Sequence, residues 1–340
     1  MKLSTEDPQA VLSATASALL RNPRDPQALA SRALALADLG RLGEASTTYR
    51  EAVREAQAAP LTRELQALLQ RGQAIAGLVG QAFEATAKSR LAAHAAGQPI
   101  PPRVSQALEI QLGHRQIFVQ QPLKFYFPGL PQIEFYDRSD FAWAKDLEAQ
   151  TAAIRAELQA VLQRQAAFAP YVEAPKSGRS DPSGMAGNAD WSACFLVKNG
   201  KPNPGWIDAC PLTMAALANV PVSAMPARGP SILFSALKPG ARIPPHHGFV
   251  NTRLICHLPL IAPPGCFLRV GSQTREWREG ELVVFDDSIE HEAWNASNAL
   301  RVVLLFDIWR PELSEIERNL VNEIFAAVDE TSGQAAAWDV

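Results

Sequence analysis

The sequence predicts an α+β fold: an all-α region at the N-terminus, then a β-rich domain with flanking helices. Three features carry that expectation. Composition changes sharply near residue 100, because the first ~95 residues are rich in Ala, Leu, Gln, Arg and Glu and poor in aromatics, a mixture of good helix formers. After Trp191 the pattern becomes short apolar runs separated by Gly, Pro, Asn and Asp, as in a sandwich, jelly roll or barrel. Four of the six histidines, His246, His247, His257 and His291, lie between Pro244 and Trp309.

In the N-terminal region, Asp25 is placed to cap a helix whose first turn carries Pro26. Leu29, Ala33 and Leu36 recur at helical spacing, and Gly40 ends that helix. A second helix follows from Glu44-Ala45, with Ala45, Tyr49, Ala52 and Val53 on one face. This pair resembles one tetratricopeptide repeat, in which small residues let two helices approach and Tyr49 fills the groove. Val11–Leu20 and Leu61–Phe83 supply helices on either side. The region lacks residues that suggest chemistry, so self-association or protein docking is its expected role.

Gly97-Gln98-Pro99-Ile100-Pro101-Pro102 reads as a linker. Phe125-Tyr126-Phe127 has strand-like aromatics before a Pro-Gly turn. From Trp143 to Leu162, Leu147, Ile154, Leu158 and Val161 form one apolar stripe, predicting a helix packed across a sheet. Residues 176–190 read as a loop rich in Gly, Ser, Asp and Pro. Strands are expected over 231–237, 252–258, 266–270, 275–278, 281–285 and 302–309, and a last helix carries Leu313, Ile316, Leu320 and Ile324.

A formal net charge of −3 provides no electrostatic footprint for nucleic acid. No apolar run approaches the length of a membrane span. The first residues lack the apolar core of a secretory signal, so the expected location is the cytoplasm. Cys194, Cys210, Cys256 and Cys266 form no Cys-x-x-Cys pair and read as reduced, buried residues.

Histidines gathered in this way suggest a metal site, since neutral imidazoles from different segments must converge to make one. His246 and His247 are adjacent, so in an extended segment they face opposite ways. Nitrogen ligands alone fit iron, zinc, copper or nickel equally.

The residues around these histidines resemble the aspartyl/asparaginyl β-hydroxylases, which are Fe(II)- and 2-oxoglutarate-dependent oxygenases. The match runs through Pro245-His246-x-Gly248, Asn251, His257-Leu258, Arg269-Val270-Gly271, Trp277 and Phe285-Asp286-Asp287-Ser288. It continues through His291-Glu292-Ala293-Trp294-Asn295, Arg301 and Asp307-x-Trp309-x-Pro311. The resemblance implies a double-stranded β-helix, jelly-roll or cupin-like, over residues 123–340. With the tetratricopeptide-like region at 1–95, residues 96–122 are left as the connection.

The resemblance also implies roles. His246 and His291 become the iron ligands, with Gly248 where other iron oxygenases have a carboxylate. Arg301 grips the distal carboxylate of 2-oxoglutarate, Ser235 assists it, and His257 lies near the chelating end. Some family members have an arginine where Ile255 stands, and Arg253 either compensates or meets substrate. Asp286 and Asp287 read as a structural turn, and Trp277, Trp294 and Trp309 as core. The expected function is hydroxylation of an unactivated carbon with dioxygen, on a peptide, protein or small molecule, including the β-carbon of an Asp or Asn residue. The competing readings are a non-catalytic binding module on the same fold and a metal-dependent cupin enzyme that does not use 2-oxoglutarate.

Overall fold

The protein is seen in a computed structural model that describes residues 3–57, 60–164, 167–172 and 186–332. It divides into two compact units, Met1–Arg115 and Gln116–Val340. The loop read from 176 to 190 lies partly outside the described residues.

The first unit is helical: α1 (Pro8–Arg21), α2 (Pro26–Asp38), α3 (Leu42–Ala56), α4 (Arg63–Ala95) and α5 (Pro102–Gln111). The Asp25 carboxylate accepts a hydrogen bond from the Gln27 amide at 3.0 Å and caps α2. Gly40, at φ 75°, ends it, and the Arg41 amide closes back on the Leu36 carbonyl at 2.9 Å. Ala30, Ala33, Ala45 and Ala52 are fully buried between α2 and α3. Small side chains here bring the two backbones close. Tyr49 packs against this core and donates to the Leu69 carbonyl at 2.8 Å. Val53, expected on the inner face, is exposed. Of the connecting stretch, Pro102 starts α5, the favoured place for a helical proline.

The second unit holds β1 (Phe135–Tyr136), α6 (Ala144–Ala149), α7 (Thr151–Leu162), β2 (Ala169–Pro170), β3 (Trp191–Lys198), β4 (Lys201–Pro202), α8 (Pro204–Ile207) and α9 (Pro211–Ala216). After these come β5 (Ile232–Leu237), β6 (Arg242–His246), β7 (Arg253–Ile261), β8 (Cys266–Val270), β9 (Gln273–Glu276), β10 (Val283–Phe285), β11 (His291–Asn295), β12 (Arg301–Trp309) and α10 (Glu315–Ser332). Two antiparallel sheets result, ordered β1-β10-β7-β12-β5-β3-β2 and β6-β11-β8-β9. From β5 to β12 the chain passes back and forth between the two sheets, with β5, β7, β10 and β12 in the larger and β6, β8, β9 and β11 in the smaller, as in a double-stranded β-helix.

Alternation along β7 and β12 separates two cores. Leu254, Cys256, Leu258, Val302, Leu304 and Phe306 face outward and pack with Leu147, Ile154 and Leu158 of α6 and α7. Ile255, Val303 and Leu305 face inward, toward Leu268, Val270 and Ala293 of the smaller sheet. The stripe expected as one helix is thus two, broken at Gln150. The aromatic run at 125–127 forms no strand. Phe125 makes one parallel bridge to Val250. The last helix is rotated from its expected face. Val321 and Phe325 are buried with Trp309 and Leu313, while Ile316, Leu320 and Ile324 are exposed. The broad ring of Phe325 packs edge-on against Phe125, and this contact selects the buried face.

Gly72 of α4 has no room for a side chain, because a Cβ there would overlap the Tyr49 ring, whereas Gly77 faces open space. Gly72→Val is expected to destabilise the helical unit by about 1–3 kcal/mol through overpacking, and Gly77→Val to be near neutral. Denaturant unfolding followed by circular dichroism measures both. Equal midpoints for the two variants contradict this packing.

Candidate functional site

The two sheets enclose a cavity of about 140 Å³. Ser235, His246, Arg253, His257, His291 and Arg301 all line it, as do His247 and Gly248. Five strands supply these six side chains, β5, β6, β7, β11 and β12, so the site exists only when both sheets are assembled.

His246 and His291 are direct cross-strand partners on β6 and β11. Residues opposite each other on neighbouring strands have close Cβ atoms, and here the ring centroids are 4.1 Å apart. The His246 Nδ1 meets the Pro244 carbonyl at 2.8 Å, and the His291 Nδ1 meets the Ile289 carbonyl at 3.1 Å. In each case the carbonyl belongs to the residue two before the histidine. A carbonyl only accepts, so each Nδ1 carries the proton and each Nε2 keeps its lone pair. Burial holds both imidazoles below their usual pKa, His291 well below, which keeps them neutral. Two neutral imidazoles with free Nε2 atoms are what a borderline metal ion takes. Among the described residues, no third His, Cys, Asp or Glu joins them in a metal-holding group.

Position 248 is closed to a side chain. A Cβ on Gly248 would overlap the Asp287 carboxylate. Asp287 therefore fills the space that a carboxylate at 248 would need. Its Oδ2 receives a 3.3 Å hydrogen bond from Arg253, and its Oδ1 has no partner. Burial raises the Asp287 pKa, and the Arg253 charge opposes that rise. Arg253 is also 3.7 Å from the Asp307 carboxylate. Burial works against its charge, but the two carboxylates outweigh that and raise its pKa.

Arg301 stands apart. It is 1% exposed, and among the described residues no carboxylate lies within ion-pair distance. One Nη donates to the Ser235 carbonyl at 3.2 Å, and its Nε has no partner. Its guanidinium lies 4.5 Å above the Trp277 ring. Burial lowers its pKa to about 10, so the group stays charged at neutral pH. Beside it, the Trp277 Nε1 and the His257 Nδ1 are also buried without partners. Burial and the Arg301 charge push His257 well below the usual imidazole pKa. The Ser235 hydroxyl accepts from the Trp191 indole at 3.1 Å. Unsatisfied buried polar groups are rare, and two N–H donors beside an unpaired imidazole nitrogen in one corner of a cavity mark a place for a polar ligand group.

The turns carrying the histidines are tied together from behind. Asp286 accepts from the Ser288 amide and hydroxyl, from Gln120 at 2.7 Å, and pairs with Arg310 at 3.1 Å. Arg310 also donates to the carbonyls of Asn251 and Pro131 and to the Tyr136 hydroxyl. Asp286 is thus structural, as expected from its turn. Residues 116–127 run across both turns, with the Gln121 amide on the Ser288 carbonyl and the Leu123 amide on the Gly248 carbonyl.

Three residues of this site escaped the sequence reading. Trp277, expected as plain core, lines the cavity under Arg301. Asp287, expected as a turn residue, faces the histidines. Tyr171, stacked on Trp191 with centroids 4.1 Å apart, forms another wall. None has a local signal, because each is brought in by a strand or loop distant in sequence. Trp309 is core, and Trp294 stacks on Phe267 away from the cavity.

The overlap at Gly248 yields a test. Gly248→Ala is expected to displace Asp287 and to cost about 1–3 kcal/mol. In an Asp287→Gly background the same change is expected to cost much less. Unfolding free energies of the four proteins decide this, and additive costs contradict the contact.

Comparison with known proteins agrees in region with this geometry. Residues 148–311 match the family described as aspartyl/asparaginyl beta-hydroxylase. The chain is 35% identical over 192 residues to an ornithine lipid ester-linked acyl 2-hydroxylase of Rhizobium tropici, covering 56% of this chain and 64% of that protein. It is 37% identical over 130 residues to the aspartyl/asparaginyl beta-hydroxylase of Homo sapiens, covering 38% of this chain and 17% of that protein. It is 32% identical over 215 residues to aspartate beta-hydroxylase domain-containing protein 2 of Homo sapiens, covering 61% and 56% of the two chains. The chain therefore spans less than two thirds of each of these relatives.

Proposed function

Residues 148–311 belong to the aspartyl/asparaginyl β-hydroxylase family, and from that premise we propose that the protein is an Fe(II)- and 2-oxoglutarate-dependent hydroxylase of an unactivated carbon. The observation that carries this reading is the pairing, in one cavity, of two neutral imidazoles with free Nε2 atoms and a buried, charged Arg301 without a carboxylate partner. A second reading, a binding module without chemistry, leaves these features without a use.

In this function His246 and His291 hold the iron through Nε2. When bound, the iron lets dioxygen and 2-oxoglutarate supply the oxidising equivalents for C–H hydroxylation. The overall reaction inserts one oxygen atom into the C–H bond. The other enters the new carboxylate of succinate as carbon dioxide leaves. Arg301 pairs with the distal carboxylate of 2-oxoglutarate. The Trp277 indole N–H and the His257 ring add the polar groups that are otherwise unpaired. Carbonyls of Pro244 and Ile289 fix the tautomer and ring orientation of the two ligands. The apolar walls exclude water from the reacting carbon.

Removing either ligand leaves one imidazole. His246→Ala and His291→Ala are each expected to lose stoichiometric Fe(II) binding, with His247→Ala retaining it, as read by metal titration. Iron held by His246→Ala but lost from His247→Ala contradicts the assignment. Arg301→Ala is expected to keep iron and to weaken 2-oxoglutarate by about 2–5 kcal/mol, roughly 30-fold or more, since a buried carboxylate loses its charge partner. Unchanged 2-oxoglutarate affinity in folded Arg301→Ala assigns the carboxylate to another group.

A further inference from the structure

Helix α10 is apolar on two faces, and its own unit uses one of them. Val321 and Phe325 are buried with Trp309 and Leu313. Ile316, Leu320, Ile324 and Val328 lie on another face and are between 45% and 67% exposed. These residues recur at every fourth position, so they form one row along about three helical turns. An ordinary surface helix keeps its solvent side polar. Single exposed apolar residues need no explanation, whereas a contiguous row marks a surface that another molecule covers. Among the described residues, α10 contributes none to the cavity between the sheets, so the row is separate from the site described above.

The charges around the row have one sign. Glu323 and Glu330, both exposed, share one flank, and Glu317 stands beside the first turn. Arg318 is the only Lys or Arg in the helix sequence. It turns inward, where its Nη2 donates to the Arg310 carbonyl at 3.3 Å. Asp329 is taken by Arg228 at 2.7 Å. Among the described residues of α10, no cation reaches the exposed face. The row is an apolar ridge with an acidic rim.

That rim discriminates between occupants. A second copy packing α10 on α10 brings the same patch of both chains together and sets each acidic rim against its duplicate. An anionic membrane surface is repelled, since helices that lie on such surfaces carry Lys and Arg beside the apolar face. A basic apolar segment is attracted by ridge and rim together. Rows of residues four apart are the ridges by which two helices most commonly interlock, so the ridge favours a helix over an extended chain.

We infer that the exposed row of α10 is a docking surface for a basic amphipathic helix of another protein. Apolar side chains of that helix interlock with Ile316, Leu320, Ile324 and Val328, and its Lys or Arg side chains meet Glu323 and Glu330. The surface gives the protein a place of attachment and takes no part in the chemistry of the cavity.

The test uses the full chain and a pair of fluorescein-labelled synthetic helices with the same Leu pattern, one filled in with Lys and the other with Glu. Fluorescence anisotropy reads binding. The Lys peptide is expected to bind tighter than the Glu peptide by about tenfold or more. Leu320→Gln with Ile324→Gln, and separately Glu323→Lys with Glu330→Lys, are each expected to weaken the Lys peptide by about tenfold or more. Asp140→Lys with Asp208→Lys reverses exposed carboxylates of other elements and is expected to change its affinity by less than about threefold, because salt screens distant surface charge. Equal affinity for the two peptides, or unchanged affinity in either α10 variant, overturns the inference. So does an equal loss in the Asp140 and Asp208 variant, which marks general attraction to an acidic protein. Sedimentation equilibrium and binding to phosphatidylserine vesicles cover the other occupants. A native dimer that Leu320→Gln with Ile324→Gln makes monomeric gives the face to a second copy and overturns the inference. Vesicle binding lost in the same variant gives it to a membrane and does likewise. All four α10 side chains substituted are exposed, and circular dichroism checks each fold. Should one variant not fold, the other and the ranking by the native protein decide.

Discussion

The fully buried ion pair between Asp286 and Arg310 is the interaction on which the site depends. Asp286 sits in the turn that leads into His291, and Arg310 holds the Asn251 carbonyl of the turn that follows His246. One pair therefore joins the two segments that present the histidines. Asn251 adds to it through Gln120 and Phe127, tying in the chain that crosses both turns. Buried charge is costly unless every lone pair and proton is satisfied. Asp286 has hydrogen bonds on both oxygens, and Arg310 donates through both Nη atoms while its Nε has no partner. Breaking such a pair leaves a naked charge and typically costs about 3–5 kcal/mol, so the two turns are held to one arrangement. A ligand pair needs this, since an error near 1 Å spoils a binding geometry.

Period-two alternation does the rest of the positioning. On β7 the inward residues are Arg253, Ile255 and His257, and the outward ones pack under α6 and α7. A slip of one residue would exchange the two sets, burying polar groups against helices and emptying the cavity of its chemistry. The long pairing of β7 with β12 excludes that slip. The same alternation assigns opposite duties to the arginines. Arg301 is left unpaired at one end of the face, and Arg253 is compensated at the other. Each stays charged despite burial, but only one is available.

The prolines of β6 show how local rules and tertiary context combine. Pro244 and Pro245 argue against a strand, because proline lacks a ladder donor. Yet β6 is the edge of the smaller sheet, where a missing donor goes unnoticed. The Pro244 carbonyl then orients His246. A residue that hides the strand in the sequence thus contributes to the geometry of the site.

The sequence by itself determined the composition break, the helical pair with its Asp25 cap and Gly40 stop, most of the β-rich pattern, and the histidines and arginines that line the cavity. These were legible because capping, period and residue chemistry act over a few neighbouring positions. It missed β6 and β11, the strands that bear His246 and His291, since prolines masked the first and turn residues surround the second. It also turned α10 to the wrong face, because an apolar stripe does not say which of two faces meets Phe125. Only the tertiary structure decided that Asp287 fills the space beside Gly248, that Trp277 lies under Arg301, and that Arg253 is paired while Arg301 is not. Each of those facts joins residues distant in the chain, and no local pattern encodes a distance that only the closing of two sheets creates.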